Sequence, residues 1–230
     1  MKIRSESIQR WWPTTQSLAL VEGQADAVAN IVKNELSRFI GREEVVIAEM
    51  SYKDLDSAFQ DNTDVFTNVP TAFLILPTNS KWSVIWNNSF LCNGYDSLCH
   101  CLTNRHGLTT IHWSSHDETT TFQTGTVFHF RNLVNNEVQE RTVQVSKNDS
   151  KWEFFEIGEP LVVEDQQSYT ARLKRDRLNE EKMTKLLEAV GARPWQEDFY
   201  ILNKKPVYVI RRTNPPDTVI KRQRREVIYG

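Results

Sequence analysis

Pro70-Thr71-Ala72-Phe73-Leu74-Ile75-Leu76-Pro77-Thr78-Asn79-Ser80-Lys81-Trp82-Ser83-Val84-Ile85-Trp86 decides how the rest of the chain is read. Residues 72–76 form a short, continuous apolar run between two prolines, rich in branched side chains, as a buried strand is. Residues 81–86 form a second run of the same kind. The link between them, Pro77-Thr78-Asn79-Ser80, is rich in turn formers, so the two runs read as an antiparallel hairpin.

Working toward the N-terminus, residues 44–50 and 17–21 read as strands. Between them Gly23 introduces a helix whose apolar positions Ala25, Val28, Val32, Leu36 and Phe39 recur every three or four residues, with Gly41 as its stop. The first fifty residues therefore resemble a β-α-β unit.

On the C-terminal side, Asn93 is a candidate helix cap and Asp96 sits in the first turn. Tyr95, Leu98, Cys99 and Leu102 make one apolar stripe. Strands are expected over residues 108–113, 119–131, 137–145, 152–157 and 207–210. In the second of these, alternation puts Phe128 and Phe130 on one face and His129 and Arg131 on the other. Residues 179–190 carry the clearest helix, with Asn179 as cap, Glu180 and Glu181 in the first turn and Gly191 just past the end.

Strands outnumber helices and most connections are short. The fold class expected is α+β, with a largely antiparallel sheet, about three helices and the N-terminal β-α-β unit. Residues 1–230 read as a single domain, with sub-lobes 1–69 and 70–212 and a basic tail over 213–230.

A chain of 230 residues can bury a core without disulfides or structural metal. Net charge is −2, so no long-range field draws it to nucleic acid or acidic lipid. The basic run Lys221-Arg222-Gln223-Arg224-Arg225 is read as a solvated tail, not a strong nucleic-acid signal. No 7–15-residue apolar stretch follows Met1, and the run over 72–76 is far too short to span a bilayer. Three cysteines, an odd number, fit a reducing compartment. A cytoplasmic protein without membrane contact is expected, and the absence of a glycine-rich phosphate loop predicts no nucleotide cofactor.

All five histidines and all three cysteines fall within residues 92–129. Cys99 and Cys101 would point roughly 200° apart on a helix, and only His112-x₃-His116 has half of a zinc spacing, so no metal is expected. Cys92 precedes a helix N-terminus, where a thiolate is stabilised. His112 on a later strand could act as its base and Asp117 could orient the base. This order of helix-borne cysteine, strand-borne histidine and later acid resembles that of thiol hydrolases and transferases related to papain. The resemblance implies a Cys92/His112/Asp117 arrangement, although the local signatures around the cysteine are absent.

Trp11 and Trp12 are candidate anchors for a partner, and His116 and Arg131 are further candidate binding residues. With no complete catalytic signature, the reading preferred is an intracellular protein that binds another protein, in the manner of an inhibitor or immunity protein, without catalytic activity. The alternative is the thiol hydrolase or transferase.

Overall fold

The computed structural model of the chain describes residues 11, 14–41, 44–62, 65–116, 124–215, 217–223 and 227. Among them are four α-helices: α1 (Ala25–Ile40), α2 (Leu55–Asn62), α3 (Tyr95–His106) and α4 (Glu180–Ala189). The strands are β1 (Ser17–Glu22), β2 (Val45–Met50), β3 (Val65–Thr67), β4 (Ala72–Pro77), β5 (Trp82–Asn87) and β6 (Thr110–His116). They continue as β7 (Gly125–Val134), β8 (Glu137–Asn148), β9 (Lys151–Ile157), β10 (Val207–Arg212) and β11 (Lys221–Gln223).

Nine strands form one sheet in the order β2-β10-β4-β5-β1-β6-β7-β8-β9, and a separate ribbon pairs β11 with β3. Every pairing between these strands is antiparallel, so the fold is α+β as the sequence indicates. The hairpin that opened the reading is β4–β5, with Ile75 opposite Ile85 and Leu76 opposite Val84.

The central strands are buried on both faces, which is why they read as continuous apolar runs rather than alternating ones. Side chains still alternate. In β1, Leu18 and Leu20 join one core while Ala19 and Val21 join the other, and in β4 Leu74 and Leu76 oppose Phe73 and Ile75. Val28, Ala29 and Val32 of α1, with Tyr95, Leu98, Cys99 and Leu102 of α3, cover the face of Ala19, Val21, Phe73 and Ile75. The face of Leu18, Leu20, Leu74 and Leu76 is covered by Leu55 and Phe59 of α2, Met183 and Leu187 of α4, and the segment carrying Trp195 and Phe199. There Trp113 and Trp195 meet with ring centroids 4.3 Å apart.

The β-α-β unit is present in split form. Strands β1 and β2 run in the same direction but are separated by β5, β4 and β10. The fourth helix beyond the three expected is α2, a two-turn element whose entry is fixed by Asp54, whose carboxylate accepts from Ser57 N at 2.9 Å. Asn179 caps α4 as expected, accepting from Lys182 N.

Asn93 does not cap α3. Its carboxamide accepts from Ser89 Oγ and donates to the Asn68 carbonyl, and Gly94 takes the cap position in a left-handed conformation with φ 85°. A Cβ there would lie 2.8 Å from Pro70 Cγ, so the tight entry requires glycine.

Two buried carboxylates fasten elements together. Glu35 of α1 accepts from Arg105 at 2.8 Å and pairs with His106 at 2.9 Å, tying α1 to the end of α3. Glu164 accepts from Arg141 of β8 and from the Tyr169 hydroxyl, tying the segment after β9 to the sheet. Within residues 213–230, Val219 is buried and β11 pairs with β3. No helix among the described residues is long and apolar enough to cross a membrane.

Candidate functional site

The histidine- and cysteine-rich segment forms α3 and the strand β6 that follows it. Register then decides what meets what. His112 of β6 lies opposite His129 of β7, Thr110 opposite Arg131, and Arg131 opposite Glu140 of β8. Directly opposed residues share a face, so His112, His129, Arg131 and Glu140 all point toward α3.

Asp96, in the first turn of α3, completes the cluster. His129 Nδ1 lies 2.8 Å from Asp96 Oδ1 and its Nε2 lies 3.0 Å from Glu140 Oε1. Arg131 donates to the same two oxygens, through Nη2 to Asp96 at 2.9 Å and through Nε to Glu140. Two basic side chains from β7 thus bridge two carboxylates from different elements. The hydrogen bond from His129, followed by that from Arg131, holds the Asp96 carboxyl well below the usual range. Partial burial would raise the Glu140 carboxyl, but the hydrogen bond and charge of Arg131 outweigh it and lower it. Arg131 is only 4% exposed, and its Nη1 is buried with no hydrogen-bond partner.

His112 sits deeper, its ring stacked on Tyr95 at 5.5 Å and 17°. Burial pushes its imidazole down to about 4, ahead of every charge effect, and Nε2 is buried without a partner. The Tyr95 hydroxyl is held in place by accepting from Asn87 N at 2.9 Å.

Cys92 lies in the loop between β5 and α3. That loop is organised by Asn87, Ser89 and Asn93, and Cys92 has a left-handed backbone, φ 49°. Its thiol is buried, and desolvation raises it to about 12. Cys99, against β6 in the apolar core, is likewise raised to about 12. A low-dielectric site disfavours a thiolate.

The other sequence candidates are dispersed. Trp11 is buried against Phe59 and donates from Nε1 to Asp56 at 2.7 Å, covering the edge of the core above α2. His116 Nδ1 lies 3.0 Å from Gln16 Oε1. Trp12 and Asp117 lie outside the described residues. Among the described residues, no group of three or more His, Cys, Asp and Glu side chains is arranged to hold a metal ion.

Asp96 and Glu140 are the members that sequence reasoning did not select. Asp96 was read as a dipole partner of its own helix, and Glu140 meets Arg131 only through the β7–β8 register. Beyond α3 the same face of β8 and β9 opens to solvent. Thr142 and Gln144 lie opposite Ile157 and Phe155, which are 55% and 53% exposed. Neither any protein-family model, nor any curated protein, nor any solved structure matches the chain.

Proposed function

We propose that the chain acts by binding another protein, masking it as an inhibitor or immunity protein does, with the open face of β8 and β9 as contact surface. The observation that carries this reading is the exposure of Phe155 and Ile157 two residues apart on one strand face. Large apolar groups on a rigid sheet, beside hydrogen-bonding Thr142 and Gln144, have the composition of an interface centre. On the same side lie Glu153 and the Asp96 and Glu140 carboxylates already paired with Arg131 and His129, a polar rim around the apolar patch. The high thiol value at Cys92 and the low imidazole value at His112 support binding over thiol chemistry, since neither group is poised to activate the other.

The test is quantitative capture from source cells on three immobilised proteins: the native chain, F155D/I157D, and V162D as a control at another exposed site. Circular dichroism first establishes that all three are folded. A protein retained by the native chain and V162D but lost from F155D/I157D is the expected result. Equal retention on all three means that the contact lies elsewhere, and retention of nothing by any of them counts against a binding role.

One observation favours the thiol-enzyme reading: the left-handed backbone of Cys92, a strained conformation of a kind found at functional sites. Its test is the reactivity of that thiol.

A further inference from the structure

A cavity of about 420 Å³ opens between the end of β10 and the β3–β11 ribbon, lined by Arg211, Arg212 and Lys221 together with Thr67 and Thr71. That volume is in the range of small-molecule sites. Among the described residues, Asp61 is the carboxylate on its wall.

The cations differ in how they are held. Arg211 is oriented by donating from Nη2 to Asn62 Oδ1 at 2.6 Å and to the Asp61 carbonyl at 3.2 Å, which leaves its charge uncompensated by a carboxylate. Arg212 approaches Glu44 only at 3.9 Å, and its Nε is buried with no hydrogen-bond partner. Lys221 is exposed on β11, whose register places it opposite Thr67. The next residue, Arg222, lies over the Phe90 ring at 4.7 Å, so alternation along β11 separates it from Lys221.

We propose that this cavity is a binding site for an oxyanion, a carboxylate or phosphate group, of a small ligand. Guanidinium groups match both anions in fork geometry, the ammonium adds a point charge, and the Thr71 hydroxyl, which accepts from Asn88 Nδ2 at 2.9 Å, can donate to a remaining oxygen. The site is independent of the β8–β9 surface.

Calorimetric titration with inorganic pyrophosphate and with citrate, at matched ionic strength in sodium chloride, distinguishes a phosphate from a carboxylate ligand. The proteins are the native chain, K221Q, R212Q and, as control, R193Q, which removes a cation outside the cavity. One of the two anions is expected to bind with a dissociation constant below about 1 mM, and K221Q to weaken it about tenfold or more. R193Q is expected to change nothing. Lys221 is exposed, so K221Q keeps the test interpretable if R212Q fails to fold. Failure of both anions to bind the native chain below about 10 mM, or equal affinity in K221Q and the native chain, overturns the proposal.

Discussion

His112 is a base kept neutral by its surroundings, titrating at about 4 in the fold against about 6.5 in an unfolded chain. The stability contributed by such a group is complete above about pH 6.5 and is lost as the pH falls toward 4, because the unfolded chain takes up the proton first. We expect the native chain to lose on the order of 3 kcal/mol more than H112Q over that interval, read from urea unfolding at pH 7, 5.5 and 4. Asp96 and Glu140 act below it. Their lowered carboxyls contribute stability that is present above about pH 4 and is lost as the pH falls further. Cys92 supplies a kinetic readout: with its thiol at about 12, alkylation by iodoacetamide at pH 6 should be far slower than for a free model thiol, and H112Q should not alter it. Fast labelling confined to Cys92 and abolished by H112A would falsify the binding-protein reading and make the thiol enzyme the better one.

Among the elements, the turn after β9 is the least tolerant of change. Gly158 has φ 78°, and a Cβ there would lie 1.8 Å from the Glu140 carbonyl oxygen, while its own carbonyl accepts from Arg141 Nη1 at 2.9 Å. Gly158→Ala is expected to cost about 3 kcal/mol or more, measured as a shift in denaturant midpoint. Removing residues 217–230 strips β11 from β3 and uncovers the pocket of Val219. A loss of more than about 2 kcal/mol is expected, and an unchanged midpoint would show that the ribbon adds nothing. Elements with long or bounded patterns, such as the β4–β5 hairpin and α4, were legible from spacing alone. The short ones were not: α2 offers only Leu55, Ala58 and Phe59 as an apolar pattern, and β3 and β11 are three residues each, held by one another. The location of the polar cluster was legible in the crowding of histidines, and Arg131 was selected with its face correct. Its partners Asp96 and Glu140 were not, because they come from a helix and a strand whose placement depends on tertiary register.

At the scale of the whole molecule, edges and openings lie where the covering helices stop. Because Phe155 and Ile157 project from the uncovered end of the sheet, F155D/I157D should change the unfolding free energy, read from urea titration, by no more than about 0.5 kcal/mol while abolishing partner retention. The order of strands has another consequence. Strand β10, which follows β4 in sequence by more than a hundred residues, inserts between β2 and β4 and, among the described strands, is the one that joins them. A chain that has reached only residue 206 lacks the strand that pairs with the backbone edge of β4 and with β2. An unpaired edge of this kind, here carrying Phe73, Leu74 and Ile75, is a template for association with other strands. Closure of the sheet therefore waits on residues 207–212.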